Sequence, residues 1–292
     1  MLYLAIPYDP AAEAAVYDEV TVGASARRRV MLLALRPDVL SAYDLYTSAS
    51  HPTRLSSFLS FDLQGEDAKA LRGNYRILRS GKCKEIGASI LRRSTKCCLC
   101  GHRDVGQLDH YLPYTTFPEF SALTVNLVPV CAVCNKTKLD TFVRPDGGPA
   151  FLHAYLDPLP AAERFLIGQV RIGDTVTVDF SVARTSTMAI SVFETLQSHF
   201  DLLGLADLYG GQATEMLFEK LVPLYEHAAD GGSGEVRKYL EREARGAAAR
   251  RGTNHWKPVA LQALAQSDEF CEGGFSALGS PDALYDAAGV SV

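Results

Sequence analysis

The sequence has little that would point to a membrane protein or to a nucleotide-hydrolysing enzyme. Its longest compact apolar run, residues 30–35, is far shorter than the ~20 residues that a transmembrane helix needs. It contains no Gly-rich phosphate loop and no serine-nucleophile motif, so neither intrinsic ATP use nor acyl transfer is indicated. No basic segment precedes the apolar start of the chain, which argues against a signal peptide. We therefore expect a soluble, cytoplasmic protein.

A net positive charge is also missing. The chain has 34 Asp and Glu against 29 Lys and Arg, which gives a net charge of −5 at pH 7. A protein that coats nucleic acid with its whole surface needs a basic field, so any contact with nucleic acid must be local. The composition is otherwise that of a globular protein, with 47% hydrophobic and 22% charged residues. The 292 residues suffice for one large domain or two modest ones.

Residues 1–90 are predicted to be mainly helical. Asp9 and Pro10 are typical of the N-cap and first residue of a helix. Further helices are expected over residues 27–35 and 38–46.

The rest of the chain divides into two regions by pattern. Residues 91–145 concentrate cysteine, asparagine and basic residues, and residues 146–292 form a mixed α/β region. In that last region, Gly173-Asp174 separates two alternating runs, residues 165–172 and 175–182. This arrangement is typical of a β-hairpin with a two-residue turn.

Two C-x-x-C pairs lie thirty residues apart. This spacing lets the thiolates of Cys97, Cys100, Cys131 and Cys134 converge on one tetrahedral Zn²⁺, whereas the position of Cys98 does not. Four sulfur ligands leave no open coordination position, so the predicted zinc is structural rather than catalytic. The alternatives are four unrelated buried cysteines or a redox-active pair, and neither explains the paired spacing.

Four polar residues lie in order between and just after the two cysteine pairs: Asp109, His110, Asn126 and Asn135. With the cysteines, this order resembles the zinc-containing HNH endonucleases over residues 97–138. The resemblance implies a β-hairpin and a helix in a ββα-metal unit. The expected fold is therefore α+β, with a zinc-stapled ββα-metal (HNH) module embedded between a mainly helical N-terminal region and a mixed α/β C-terminal region.

The resemblance also implies roles for these residues. Asp109 and Asn135 would bind a catalytic Mg²⁺ or Mn²⁺, His110 would be the general base, and Asn126 would hold the hairpin loop and orient the His110 ring. The chemistry agrees, because imidazole titrates near neutrality and carboxylate and amide oxygens suit hard cations. Two features depart from the commonest family pattern: the closing residue is Asn rather than His, and the loop after Pro113 is not Gly-rich.

The predicted activity is hydrolysis of phosphodiester bonds, with double-stranded DNA preferred over RNA because no stacking-aromatic RNA-binding signature occurs. The resemblance also suggests bacterial defence against phage or foreign DNA, beside a partner such as an ATPase. Taken alone, each site residue could equally be a turn or capping residue. The main alternative is a non-catalytic zinc module that binds nucleic acid or a protein partner.

The motif region carries a local excess of positive charge. From residue 79 to residue 138 there are nine Lys or Arg against four Asp or Glu, although the whole chain is acidic. Lysine and arginine neutralise phosphates without reading base sequence. The predicted phosphate contacts are Arg92, Arg93, Lys96, Arg103, Lys136 and Lys138.

Overall fold

The computed structural model describes residue 4 and residues 8–48, 65–157 and 159–282. The fold is α+β, with many helices and two small antiparallel sheets. The helices are α1 (Pro10–Gly23), α2 (Ala26–Ser48), α3 (Gly65–Ser80), α4 (Lys84–Leu91), α5 (Ala132–Lys138), α6 (Ile190–Leu202), α7 (Leu205–Arg251), α8 (Trp256–Gln266), α9 (Asp268–Cys271) and two 3₁₀ turns, Pro118–Ala122 and Gly274–Leu278. The strands are β1 (Gln107–His110), β2 (Leu127–Val130), β3 (Leu166–Ile172) and β4 (Val176–Val182). Among the described residues, no helix combines the length and apolarity needed to span a bilayer.

The chain divides into two compact units, and their boundaries differ from the regions expected at residues 90 and 145. The first unit comprises residues 1–159 and 194–203, and the second comprises residues 160–193 and 204–292. The N-terminal helices belong to the same unit as the motif region because they bind its loops directly. The Glu13 carboxylate of α1 accepts hydrogen bonds from the amide and hydroxyl of Thr124, at 2.9 and 2.5 Å.

The first helix begins as predicted, but the next departs from the prediction. Asp9 accepts hydrogen bonds from the first two amides after Pro10, at 2.9 and 3.3 Å, which confirms it as the N-cap. The two helices predicted around Pro37 are one continuous helix, α2. Proline removes one backbone donor, yet α2 buries Leu32 before it and Tyr43 after it. Burial of a continuous apolar face therefore outweighs the local break.

The motif region forms a ββα arrangement inside the first unit. Strands β1 and β2 pair antiparallel, with Asp109 opposite Val128 and His110 opposite Leu127. Helix α5 follows β2 immediately, starting after Cys131. A core of large aromatic side chains, including Phe120, lies under the loop that joins the two strands.

The second unit contains the predicted hairpin and the long helix α7. Strands β3 and β4 pair antiparallel, with Leu166 opposite Val182 at one end and Ile172 opposite Val176 at the other. The turn therefore has three residues rather than the predicted two. The alternation predicted for the second run is confirmed, because the four apolar side chains of β4 that share one face are all buried: Val176, Val178, Phe180 and Val182. Helix α7 is kinked at residues 231–232, where Gly232 adopts a positive φ of 65° that favours glycine.

Candidate functional site

The four predicted zinc ligands converge. The Sγ atoms of Cys97, Cys100, Cys131 and Cys134 all lie within 4.8 Å of one another, and all four side chains are buried. Tetrahedral coordination with Zn–S bonds of about 2.3 Å places the sulfurs about 3.8 Å apart, so the cluster fits a zinc ion. Cys98 lies outside the cluster, as predicted, and its backbone amide instead bonds the Pro129 carbonyl.

Hydrogen bonding within the sulfur cluster favours a thiolate at Cys100 and keeps Cys97 and Cys134 as thiols, because it raises the pKa of both. Hydrogen bonds from the Cys134 and Cys97 thiols lower the pKa of the Cys100 thiol, and backbone hydrogen bonds at His102 and Arg103 lower it further. A thiolate, not a thiol, binds metal, so these contacts favour the ligand form.

Helix α6 supports the first cysteine pair through His199, a residue that the sequence left without a role. The buried His199 ring accepts a hydrogen bond from the Leu152 amide at Nδ1 and donates from Nε2 to the Leu99 carbonyl, at 3.2 and 2.8 Å. Burial lowers its pKa to about 3, so the ring is neutral near pH 7 and can serve both bonds. Leu99 lies between two of the zinc ligands, so this contact braces the cluster.

A cavity of 490 Å³ lies beside the ββα arrangement. It brings together three of the four predicted catalytic residues, Asp109, His110 and Asn135, and one predicted phosphate contact, Lys136. Asn126, the fourth catalytic residue, is fully buried and does not line the cavity.

The His110 ring is held in a form that can accept a proton. Its Nε2 lies 3.0 Å from the Ser121 carbonyl oxygen, which can only accept, so Nε2 carries the hydrogen and Nδ1 has the lone pair. Burial lowers the pKa of His110 to about 4, despite the opposing effect of the Ser121 bond. The rings of Tyr75 and Tyr114 flank it, with centroids at 4.5 and 4.8 Å. Near neutral pH the ring is therefore an uncharged base.

Lys138, predicted to contact phosphate, is instead turned into the protein interior. Its side chain is fully buried, with Nζ 3.0 Å from Oδ2 of Asp109 and 2.8 Å from the His110 carbonyl oxygen. Helix α5 turns this lysine inward, although its close neighbour Lys136 is exposed. Burial raises the pKa of Asp109 to about 6, and the Lys138 ammonium opposes that rise. Lys138 is thus the counter-ion of Asp109.

Asn126 holds the loop that joins β1 and β2. Its Oδ1 accepts hydrogen bonds from the Leu112 amide at 2.8 Å and the Tyr46 hydroxyl at 3.0 Å. Its Nδ2 donates to the carbonyls of Leu112 and Phe120, at 3.0 and 3.2 Å. The predicted loop-holding contacts are present, but the His110 ring is oriented by the Ser121 carbonyl rather than by the Asn126 amide.

A buried network of hydrogen bonds connects Asn126 to Tyr46, His153 and the Tyr155 amide. The Tyr46 hydroxyl, which donates to Asn126, also lies 2.8 Å from Nε2 of His153. Nδ1 of His153 accepts from the Tyr155 amide at 3.1 Å, so Nε2 carries the hydrogen and donates to Tyr46. No sequence pattern indicates these contacts, because Asn126 and His153 lie 80 and 107 residues from Tyr46.

Oxygen atoms suited to a hard cation are present at the cavity. The Asn135 amide nitrogen donates to Gln107 at 2.6 Å, which leaves its Oδ1 for another partner. Asp140, which the sequence reasoning missed, lines the same cavity and accepts from the Thr115 hydroxyl at 2.9 Å. Among the described residues, the four cysteines form the one group of three or more Cys, His, Asp or Glu side chains that lie close enough to one another to hold a metal ion. The cavity therefore offers oxygen donors from Asn135 and Asp140 beside those of Asp109.

The other predicted phosphate contacts differ in availability. Arg93 is committed to the protein, because its guanidinium donates to the Thr124 carbonyl and hydroxyl and lies over the Tyr155 ring, which corrects its predicted role. Lys96 forms an ion pair with Asp104 at 2.6 Å. The remaining three are at least partly exposed: Arg92, Arg103 and Lys136.

Comparison with known proteins yields one distant relative. No protein-family model matches the chain, and no solved structure matches it. The chain is similar to protein ea31 of Escherichia phage lambda, with 28% identity over 198 residues, which is 63% of this chain and 66% of ea31. The match thus spans just under two thirds of the phage protein. The resemblance to HNH endonucleases therefore rests on the residues of the site.

Proposed function

We propose that this chain is a metal-dependent endonuclease of the HNH type, which hydrolyses phosphodiester bonds in DNA. The observation that carries the proposal is the state of His110. Its ring is neutral, its Nε2 is held by the Ser121 carbonyl, and it lines a cavity together with Asp109 and Asn135. A positioned base beside oxygen donors is what the attack of water on a phosphodiester requires.

Each residue of the site has a separate role in the proposed reaction. Nδ1 of His110 takes the proton from the attacking water, and Ser121 keeps the ring in the tautomer that leaves Nδ1 free. Asp109 and Asn135 are the protein ligands for Mg²⁺ or Mn²⁺, which would neutralise charge that develops on the phosphate. Lys138 keeps Asp109 ionised in its buried position. The cysteine cluster, with structural zinc, stabilises the strand and helix that carry these groups.

The substrate and the biological setting are further parts of the proposal. Duplex DNA is preferred over RNA for want of a stacking-aromatic RNA-binding pattern. Defence against phage or foreign DNA, beside an ATPase partner, rests on the family resemblance alone. The relative from phage lambda carries no activity in its name.

A second function is favoured by the Lys138–Asp109 ion pair. A carboxylate that already has a buried counter-ion 3.0 Å away attracts a divalent cation less strongly than an unpaired one. This observation favours a non-catalytic zinc module that binds nucleic acid or a protein partner, and the two functions differ in a direct assay.

The assay is cleavage of supercoiled plasmid with Mg²⁺ or Mn²⁺. We compare the wild type with His110→Gln, and we use His227→Ala as a matched control because His227 lies in the second unit. Zinc content is measured first, so that each variant is known to retain the cysteine site. We expect the wild type and His227→Ala to cut and His110→Gln to be at least about 100-fold slower, the usual loss for a general base.

The other outcomes separate the alternatives. Equal cutting by the wild type and His110→Gln would show a contaminating nuclease or a misplaced site. No cutting by any of the proteins, together with binding of the same plasmid, would favour the non-catalytic module.

A further inference from the structure

Helix α3 carries a row of basic side chains that the sequence analysis did not select. The members are Lys69, Arg72, Arg76 and Arg79. Their spacing of three, four and three residues places them on one face of the helix. At a rise of about 1.5 Å per residue the row is about 15 Å long, which equals about four base-pair steps of DNA at 3.4 Å.

The row joins the cavity of His110 to two neighbouring cavities. A cavity of 500 Å³ between α2 and α3 is lined by Lys69, Arg72 and Arg76. Arg76 also lines the next cavity, of 490 Å³, together with Arg79. That second cavity shares Asn135 and three other residues with the cavity of His110. The basic face of α3 is therefore continuous with the candidate active site.

The charges of this row are largely not neutralised by carboxylates. Glu66 lies 3.5 Å from the Lys69 ammonium, and both side chains are exposed, so this pair is weak. In the described ranges, no carboxylate lies within 4.0 Å of the guanidinium of Arg76 or Arg79, and both are exposed. The pKa of nearby Arg28 is lowered, first by burial and next by the positive charge of Arg76. Like charges held together in this way attract an anion.

Two side chains of α3, Arg72 and Tyr75, fix the helix relative to the active-site loop. The guanidinium of Arg72 donates to the carbonyl oxygens of Tyr114 and Thr115, at 3.3 and 2.6 Å. The Tyr75 hydroxyl donates to the Leu108 carbonyl of β1 at 2.9 Å, and the Tyr75 ring packs against His110. The basic side chains that follow Tyr75 on α3 are thus held at a set position beside the catalytic base.

We infer that the face of α3 that presents Lys69, Arg76 and Arg79, held in place by Arg72, binds the phosphate backbone of duplex DNA and leads one phosphodiester to the cavity of His110. This assignment rests on the proposed function for the fate of that phosphodiester, but the binding itself does not require cleavage. Contacts of this kind neutralise phosphates without reading base sequence. The surface therefore predicts strong dependence on salt and little dependence on sequence.

The test is binding of a fluorescein-labelled 20-bp duplex to the full chain, followed by fluorescence anisotropy over a range of NaCl concentrations. All proteins carry His110→Gln and receive no Mg²⁺ or Mn²⁺, so cleavage does not enter. The key variant is Arg76→Ala with Arg79→Ala. The matched control is Arg250→Ala with Arg251→Ala, which removes the same charge from exposed positions in the second unit.

We expect the Arg76 and Arg79 pair of alanines to weaken binding at least about 10-fold, and to reduce the slope of log Kd against log[NaCl] by about 2, since each phosphate contact contributes about 0.9. The control should change Kd less than about 2-fold and leave the slope unchanged. Arg76→Lys with Arg79→Lys keeps the charge and should restore the slope. Thermal melting checks that the variants are folded, which their exposed positions favour.

The inference is overturned if the alanine pair binds like the His110→Gln parent, if the control loses as much affinity, or if the lysine pair fails to restore the slope. Tighter binding of single-stranded RNA through the same arginines would overturn the choice of duplex DNA. Binding through α3 by a chain that never cuts would count against the proposed function alone, so the two failures are distinguishable.

Discussion

Replacement of Asn126 by alanine tests whether this one amide holds the active-site loop. The side chain is fully buried and makes four hydrogen bonds, with the amide and carbonyl of Leu112, the carbonyl of Phe120 and the hydroxyl of Tyr46. A buried hydrogen bond contributes about 1 kcal/mol net, with a range of about 0.5–1.5. Asn126→Ala breaks all four and leaves their partners buried. We therefore expect the free energy of unfolding to fall by about 4 kcal/mol.

The matched variant is Tyr46→Phe, which removes one of those four bonds and the bond from His153, and keeps the aromatic ring in the core. We expect the loss of these two bonds to cost about 2 kcal/mol. Asn126→Asp is also informative, because it keeps the two acceptor bonds but sets a carboxylate against the carbonyl oxygens of Leu112 and Phe120. Its cost should reach or exceed that of the alanine variant at pH 7, since the charge is buried and unpaired.

The assay is urea unfolding followed by far-UV circular dichroism, with zinc present at a constant concentration. The slope of free energy against urea should be the same in all variants, so that midpoints can be compared. A loss for Asn126→Ala no larger than the loss of about 2 kcal/mol expected for Tyr46→Phe would refute the reasoning. It would show that the other contacts of this loop, such as the Glu13–Thr124 pair, hold it without the amide.

Three further predictions follow from buried groups. Glu119 is buried with no hydrogen bond from its carboxylate to another described residue, and burial raises its pKa from 4.5 to about 7. Because the folded-state pKa of Glu119 is raised, the fold loses stability as pH rises from about 4.5 to about 7. In urea titrations, Glu119→Gln should therefore gain up to about 3 kcal/mol relative to the wild type between pH 4.5 and pH 8. A difference that does not change with pH would contradict this. Lys138→Met should lower the free energy of unfolding by about 3–5 kcal/mol in the same titrations, because it leaves the buried Asp109 carboxylate unpaired. Replacement of the exposed Lys136 by Met should change it by no more than about 0.5 kcal/mol. Equal effects of the two substitutions would disprove the internal role of Lys138. Zinc analysis of purified protein should give one ion per chain, lost in Cys131→Ser and kept in Cys98→Ser, and retention in both would refute the assigned ligand set.

The fold was predictable where local patterns decide it. The N-cap at Asp9 and the alternating burial of β4 are local properties, and both are confirmed. The division of α2 at Pro37 and the two-residue turn of the hairpin were wrong. In α2 burial on both sides of the proline outweighs a local break, and in the hairpin the residue after Asp174 joins the turn rather than the strand. In α2 the local preference is thus overridden by packing, whereas the exposed turn shifts by one residue without any burial.

The candidate site was predictable in its members more than in their contacts. The spacing of the cysteines predicted their convergence, which is confirmed, and the order of Asp109, His110 and Asn135 predicted that they meet at one cavity. The roles of those three residues stay predictions. Lys138 was misassigned because its exposure depends on which face of α5 meets the core, and seven residues are too few to show an apolar stripe.

By itself, the sequence determined the features that depend on residues close in the chain: the cysteine pairs, the helix cap and the strand alternation. Only the tertiary structure decided which groups act on the site from far away. Tyr46 reaches Asn126 across 80 residues, Ser121 fixes the His110 ring, and the arginines of α3 lie beside the cavity. The physical reason is that hydrogen bonds and charge act over a few ångströms in space, whatever the separation in the chain, and only packing of the whole unit sets those distances.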